Sequence, residues 1–195
     1  AIGKKKDKLI LRIKELKTEI TKCEIKIKED KCDYKISGNQ MKGGALFMNA
    51  CKDYLKDCSN KDELPEWRGG KILIILDEGL LNTDNYKEVR DFIKKYFYVK
   101  AIISLTKDAF VPVSRTPTKT SILYGIKKED ITAKQQEPIF FAHAEKVGLD
   151  TKKRVCENYL FNSGHDIISR YRDFKKAVLS SYDGLNFKRE KFEKL

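Results

Sequence analysis

Three short apolar runs and one amphipathic helix constrain the fold of this 195-residue chain more than any other feature. The runs lie at residues 71–76 (KILIIL), 99–105 (VKAIISL) and 120–126 (TSILYGI). Apolar residues recur at helical spacing over residues 86–98, between the first two runs. Continuous apolar strands separated by such a helix indicate a parallel sheet covered on both faces. The sequence therefore predicts an α/β domain with a right-handed strand–helix–strand connection.

In an open sheet of this kind, function lies in the loops beyond the carboxyl ends of the strands. Those loops are predicted at residues 77–85 and 106–119. Asp77 and Glu78 could form an acid–base pair, but we interpret them as residues that end a strand and shape the loop. From residue 150 onward the chain is predicted to be helical and basic, and residues 180–195 are interpreted as a linker.

The N-terminal region is a separate element with its own apolar pattern. Six apolar residues step by 4, 3, 4, 3 and 4 positions along a helix otherwise rich in Lys and Glu: Leu9, Ile13, Leu16, Ile20, Cys23 and Ile27. This spacing is that of a coiled-coil seam of about three heptads. The seam either packs on its own domain or mediates helix-driven self-association, and the sequence leaves both interpretations open.

An ordered series of short motifs resembles a known family. The series covers about residues 44–176. It includes Ala45-Leu46-Phe47, Tyr54-Leu55-Lys56, Gly69-Gly70, KILIILDEG, Val89-Arg90, Ile103-Ser104-Leu105, Ala109-Phe110, Lys119-Thr120-Ser121-Ile122-Leu123, Ile139-Phe140-Phe141-Ala142, Lys146-Val147-Gly148-Leu149-Asp150, Asp166-Ile167-Ile168 and Tyr171-Arg172-Asp173-Phe174. In this order it resembles the second half of the catalytic domain of N6-adenine DNA methyltransferases of restriction-modification systems, of the modification-subunit type. The resemblance implies the later half of a Rossmann-like methyltransferase sheet and S-adenosylmethionine as cofactor.

Two parts of the family pattern are missing from this sequence. The glycine-rich turn that holds S-adenosylmethionine in the family does not occur. The Asn-Pro-Pro-aromatic motif that binds the target amino group is also absent, because the four prolines are isolated from one another. We therefore expect a fragment that neither binds the cofactor nor methylates DNA alone, with no catalytic or cofactor-binding residue of its own.

The resemblance also implies roles for particular residues. A methyltransferase must extrude its target adenine and hold it against aromatic or apolar groups. Phe110 occupies the family position that stacks on this base, with Pro112 stiffening its loop, although a phenylalanine at a strand end is often a core residue. Lys107, Arg115 and Lys119 are the expected DNA-binding residues. Lys127 and Lys128 are expected to border the same loops.

Charge and composition limit the remaining function classes. A net charge of +12 is typical of a surface that meets polyanions, but a lysine-rich solvated surface has the same composition. The five cysteines form no Cys-x-x-Cys pair, so a metal site is not expected. We expect the cysteines to be free thiols in a reducing cytoplasm. His143 and His165 lack a recognisable nucleophile partner. No secretory signal or membrane-length apolar run is visible.

These observations predict three parts of the chain. Residues 1–40 form an amphipathic helical segment, for which a helical insertion is one interpretation. Residues 41–150 form the methyltransferase α/β part, and residues 151–195 a helical extension with a linker. The implied partners are DNA, a restriction subunit, and a specificity subunit or fused target-recognition domain, with no membrane. The alternative function is a non-catalytic nucleic-acid-binding or subunit-assembly module.

Overall fold

A computed structural model describes residues 43–55, 64, 66–115, 117–161 and 166–194. The N-terminal seam, His165 and the first predicted part of the chain lie outside the described residues. Compactness divides the chain into Ala1–Asp33 and Tyr34–Leu195, and every described residue belongs to the second unit. The boundaries of the three predicted parts stay a prediction.

Eight strands and six α-helices are present in the described part of the chain. The helices are α1 (Gly43–Tyr54), α2 (Glu78–Asn82), α3 (Lys87–Tyr96), α4 (Val111–Ser114), α5 (Ile167–Ser180) and α6 (Arg189–Phe192), with a 3-10 turn at Asp84–Tyr86. The strands are β1 (Lys71–Asp77), β2 (Phe97–Leu105), β3 (Thr120–Lys127), β4 (Phe140–Ala144), β5 (Val147–Leu149), β6 (Val155–Asn158), β7 (Tyr182–Asp183) and β8 (Asn186–Phe187). The α/β fold class is confirmed.

The main sheet is mixed, and the prediction of a parallel sheet was wrong in one respect. Its strand order is β1-β3-β2-β4. β3 lies between β1 and β2 and runs antiparallel to both, whereas β4 is parallel to β2. The helix in the described part of the 106–119 connection is the four-residue α4, and the chain turns back instead of crossing over the sheet. β1 and β2 still point in the same direction, as predicted.

The two faces of this sheet bury different side chains. On one face α1 and α3 cover a core whose buried members include Met48, Leu76, Phe92 and Leu123. α3 presents Val89, Phe92 and Ile93 at helical spacing, and Lys94 and Lys95 in its last turn complement the helix dipole. Burying one such side chain fully stabilises the fold by roughly 1.5 to 3 kcal/mol.

Aromatic residues from α5 cover the opposite face. The ring of Tyr171 packs edge-on against Phe140 of β4 at 5.5 Å and against Tyr124 of β3 at 6.0 Å between centroids. Phe174 lies 5.3 Å from Phe140 and 5.7 Å from Phe192 of α6. The predicted helix over residues 166–179 is therefore present, and its apolar stripe is a packing face.

The region after residue 150 differs from the expected helical extension. β5 and β6 form an antiparallel hairpin before α5 begins. Residues predicted to be a linker form the β7–β8 hairpin and α6, and Phe187 and Phe192 pack against the cluster of Trp67, Ile126 and Val178. No helix among the described residues is long and apolar enough to span a bilayer.

Candidate functional site

The two loops predicted to carry function lie together at one edge of the sheet. Asp77 at the end of β1 pairs with Thr120 at the start of β3, and the N–H of Glu78 donates to the carbonyl of Lys119 at 3.1 Å. The carboxyl ends of β2 and β4 lie at the same edge, where the N–H of Thr106, just after β2, donates to the carbonyl of Ala144, the last residue of β4, at 3.1 Å. This "carboxyl edge" is formed by residues 77–85, 106–115, 117–120 and 144–146.

The loop after β1 is short and internally bonded. Asp77 caps α2, with its Oδ1 accepting from the N–H of Gly79 at 2.8 Å. The guanidinium of Arg90, on α3, donates to the carbonyl of Thr83 at 2.5 Å. Asp77 therefore ends a strand and shapes the loop, as the sequence indicated, and its side chain is engaged in the cap.

Phe110 and Pro112 lie at the start of the next turn along the edge. Phe110 is half-buried and packs against the cluster of Leu105, Ala144 and Ile167. Its carbonyl accepts from the N–H of Ser114 at 2.8 Å and from the Ser114 hydroxyl at 2.9 Å. These two hydrogen bonds span the single turn of α4 and fix the position of the Phe110 backbone. Its role in base stacking stays a prediction.

Val113 is the apolar residue on this turn that sequence reasoning missed. It exposes 84% of its surface, whereas Pro112 beside it is buried. The sequence pattern Phe-Val-Pro-Val does not tell which of its apolar side chains faces outward, since one turn of helix is too short for periodicity to decide.

The three predicted DNA-binding side chains differ in how available they are. Lys107 is exposed. Arg115 is also exposed and adopts a left-handed backbone conformation with φ of 60° at the C-terminal end of α4. The ammonium of half-buried Lys119 instead donates to the carbonyl of Leu105 at 2.7 Å, which ties the two ends of the loop together. Lys107 and Arg115 are thus the exposed cations of the three.

Lys127 and Lys128 do not border these loops, contrary to expectation. They lie at the other end of β3, about 25 Å away for a strand of this length. Their ammonium groups donate to the carbonyls of Leu55 and Ala133, at 2.8 and 2.7 Å respectively. Both lysines therefore satisfy backbone carbonyls away from the carboxyl edge.

The expectation that this chain has no cofactor-binding residue stays a prediction, and the hydrogen bonds at the carboxyl edge bear on it. The backbone N–H groups of Glu78 and Gly79, which follow β1, are already bonded within the loop. The buried polar atom without a hydrogen-bond partner at this edge is the Thr120 hydroxyl. One hydroxyl cannot replace the glycine-rich turn that the sequence lacks. No group of metal-ligating side chains is present in the described part of the chain either.

The described histidine and cysteines carry no recognisable chemistry. His143 is an exposed residue within β4. Cys51 and Cys156 are free thiols, and burial raises the pKa of Cys51, which disfavours the reactive thiolate.

A cluster of buried charges at the opposite end of the sheet was also missed by sequence reasoning. Lys100 of β2 lies between the carboxylates of Glu137 and Glu66, whose oxygens are 2.5 and 3.7 Å from its ammonium. Glu137 accepts a hydrogen bond from the indole of Trp67, and a second from the hydroxyl of Tyr182 at 2.5 Å. Burial lowers the pKa of Lys100 and raises that of Glu66.

This cluster joins the C-terminal hairpin to the sheet. Lys100 also lies 4.1 Å from the centroid of the Trp67 ring, a cation–π geometry. Because its polar groups are turned toward one another and are nearly inaccessible, the cluster is a structural element and not a binding site.

Comparisons with known proteins give only distant likenesses. No protein-family model matches the chain, and no curated protein does. Among solved structures, a protein from Listeria monocytogenes assigned to the class I S-adenosylmethionine-dependent methyltransferases is 20% identical over 55% of this chain and 28% of its own length, with a TM-score of 0.39. A chain from a type I restriction-modification complex is 15% identical over 77% of this chain and 27% of its own, with a TM-score of 0.40.

A modification subunit assigned to a type I restriction enzyme of Vibrio vulnificus is 14% identical over 77% of this chain and 30% of its own, with a TM-score of 0.41. This chain thus spans less than a third of the length of each of the three solved chains. Likenesses at this level do not indicate the activity of this chain.

Proposed function

We propose that this chain is the later half of the catalytic domain of an S-adenosylmethionine-dependent DNA adenine-N6 methyltransferase of a restriction-modification system. The observation that carries the proposal is the convergence of the two predicted functional loops at the carboxyl edge, joined by the Glu78–Lys119 hydrogen bond. The residues predicted to contact the base or the DNA all belong to this edge: Phe110, Pro112, Lys107, Arg115 and Lys119.

In this proposal Phe110 supports the extruded adenine. A ring that stacks on a base needs a fixed position and an open surface, and a half-buried ring anchored in a cluster offers both. The hydrogen bonds to the Phe110 carbonyl and the buried Pro112 fix the turn that carries it. Lys107 and Arg115 would contact phosphates on either side, which positions the duplex without reading its sequence.

The remaining chemistry belongs to residues outside this sequence. The cofactor supplies the methyl group, and the family elements that hold it and the adenine amino group are absent here. The sheet edge at β1 supports the proposal that these elements come from other residues. β1 has no second partner strand among the described residues, and Leu73 and Ile75, on the sheet face opposite Ile72 and Leu76, are 72% and 49% exposed. An exposed apolar edge strand is a place where another strand can add.

The test uses the longer polypeptide that contains this chain. We expect it to transfer a labelled methyl group from S-adenosylmethionine to adenine N6 in duplex DNA. Phe110→Ala should weaken the flipped-base complex by the roughly 1 to 3 kcal/mol that base stacking contributes, while cofactor affinity stays unchanged. Fluorescence of 2-aminopurine at the target position reports the extruded base directly.

Phe187→Ala is the matched control, since Phe187 is a half-buried phenylalanine that packs at the opposite end of the sheet. Equal losses of methylation in the two variants, each in step with its loss of thermal stability, would mean that Phe110 is a packing residue only. DNA binding without methyl transfer by the longer polypeptide would favour the non-catalytic nucleic-acid-binding or assembly module instead.

A further inference from the structure

The β5–β6 hairpin extends from the carboxyl edge and ends in a basic turn. Its strands pair Val147 with Asn158 and Leu149 with Val155. The turn between them, residues 150–154, carries three consecutive cations, Lys152, Lys153 and Arg154. All three are exposed, and the two lysines make no ion pair among the described residues, whereas Arg154 pairs with Asp150.

Asp150 holds the turn in one conformation. Its Oδ1 accepts from the N–H groups of Lys152 and Arg154 at 2.8 and 2.9 Å, and its Oδ2 lies 2.7 Å from the guanidinium of Arg154. Lys153 adopts a left-handed conformation with φ of 62°. The lysines are thus presented on an ordered turn, so less conformational entropy is lost when they bind a partner.

The base of the hairpin belongs to the carboxyl edge. The carbonyl of Ala144, three residues before β5 begins, accepts from the N–H of Thr106 at 3.1 Å. Val147 packs against the same buried cluster of Leu105, Ala144 and Ile167 as Phe110 does. The hairpin therefore starts where the loop of Lys107 and Arg115 lies.

We infer that this hairpin is a second DNA-contacting element, in which Lys152 and Lys153 bind phosphates of the duplex held at the carboxyl edge. The inference rests on the proposed function. A two-stranded ribbon fits the width of the DNA major groove, whose rims are phosphates. Next to the turn, Val155 and Leu149 are 89% and 43% exposed, and such apolar side chains suit the thymine methyl groups on the groove floor.

Charge complementarity favours DNA over a protein partner. Residues 146–159 contain four cations and two acids, and both acids are paired with cations of the same hairpin, in the Lys146–Glu157 and Arg154–Asp150 pairs. The two remaining positive charges are those of Lys152 and Lys153. A polyanion compensates adjacent unpaired cations of this kind, and each phosphate contact releases counterions.

The test compares three double variants of the 195-residue chain, measured by fluorescence anisotropy on a labelled 20-base-pair duplex at several NaCl concentrations. Lys152→Gln with Lys153→Asn neutralises the hairpin, and Lys107→Gln with Arg115→Asn neutralises the edge. Asn replaces the left-handed residue in each because it tolerates that conformation. Lys191→Gln with Lys194→Gln removes two exposed charges from the last residues of the chain as the control.

We expect the hairpin variant to lower the slope of log affinity against log salt by about 1 to 2, since each lost phosphate contact removes about 0.9. The control should leave the slope unchanged. Lys152→Arg should keep it, and unchanged circular dichroism melting shows that the neutralised hairpin still folds.

The outcomes separate this inference from the proposed function. A normal slope in the hairpin variant with a reduced slope in the edge variant would overturn the hairpin contact and keep the DNA-facing edge. The reverse would keep the hairpin contact and overturn that edge. Slopes equal to the control in both variants would overturn both.

Discussion

The ammonium group of Lys100 lies 2.5 Å from a carboxylate oxygen of Glu137, and the two side chains expose only 2% and 1% of their surfaces. Glu137 belongs to the connection between β3 and β4, and it also accepts hydrogen bonds from Trp67 and Tyr182. One carboxylate therefore holds together strand β2, the segment before β1 and the C-terminal hairpin.

Removal of Glu137 should be among the most destabilising single changes in the chain. Glu137→Ala leaves the Lys100 charge buried with only Glu66, 3.7 Å away, and deprives two donors of their acceptor. Breaking a buried pair in this way costs about 3 to 5 kcal/mol. Chemical denaturation followed by circular dichroism measures the loss.

The control for this change is Glu157→Ala. Glu157 pairs with Lys146 at a similar distance, 2.6 Å, but the two side chains are 58% and 48% exposed. An exposed pair contributes about 1 kcal/mol or less. If both substitutions cost the same, the buried network around Glu137 does not stabilise the fold.

Buried tyrosines should make the chain unstable in strong alkali. Burial raises the pKa of Tyr98 to about 12, and it also raises the pKa values of Tyr124, Tyr171 and Tyr182. A tyrosine of the unfolded chain loses its proton near pH 10. Between pH 10 and pH 12 the folded state therefore binds more protons, and the free energy of unfolding falls as the pH rises.

Tyr98→Phe removes one of these groups and should reduce the decline of the melting temperature between pH 10 and pH 12. Below pH 9 the substitution should change the pH dependence of the melting temperature less. Thermal melts at closely spaced pH values measure the slope. The interpretation would be wrong if the variant and the parent chain lost stability in parallel.

The strands and α3 could be predicted from sequence because their patterns are long and unambiguous. The runs at 71–76, 99–105 and 120–126 all became strands, with bounds shifted by no more than two residues. The direction of β3 could not be predicted in the same way. A continuous apolar run indicates that both faces of a strand are covered. β3 is an inner strand and would show the same run whether it were parallel or antiparallel to its neighbours, so the pattern does not give its direction.

The β5–β6 hairpin was missed because its strands have three and four residues, too few for alternation to show. The meeting of the two loops at one edge could be predicted, since the carboxyl ends of β1 and β2 follow from strand direction, whereas the roles of the residues on them stay a prediction. Which lysines face solvent was not predictable, because Lys119 and Lys127 reach backbone carbonyls distant in sequence.

Gly69 should not tolerate a side chain. It has φ of 126°, and a Cβ there would lie 2.4 Å from the carbonyl oxygen of Lys127 in the neighbouring chain segment. Gly184 is a matched control, because it also has a positive φ, 59°, but a Cβ at Gly184 would have no atom within 4 Å.

Gly184→Ala should therefore cost only the strain of a left-handed residue, roughly 1 to 2 kcal/mol. Gly69→Ala should cost clearly more, because the backbone must move as well. Urea denaturation of the two variants gives both values, and an equal cost would show that the close approach at Gly69 relaxes freely.

The cost of truncating Leu73 on β1 should depend on whether the sheet continues beyond this strand, whereas the cost of truncating Leu76 should not. Leu76 is 1% exposed and belongs to the core, so Leu76→Ala should cost about 2 to 5 kcal/mol in any context. Leu73 on the same strand is 72% exposed, and Leu73→Ala should change the stability of the 195-residue chain by no more than about 0.5 kcal/mol.

In the longer polypeptide, the proposed function adds further strands beside β1 and elements that cover the sheet face of Leu73, so Leu73 would become buried. Leu73→Ala should then cost more than about 1 kcal/mol, because removing buried methyl groups leaves a cavity. Leu73→Lys should also reduce self-association of the 195-residue chain, since a charge on an edge strand opposes edge-to-edge pairing. Sedimentation and denaturation of both polypeptides measure these effects. An equally small cost of Leu73→Ala in the longer polypeptide would mean that β1 remains the edge of a complete sheet.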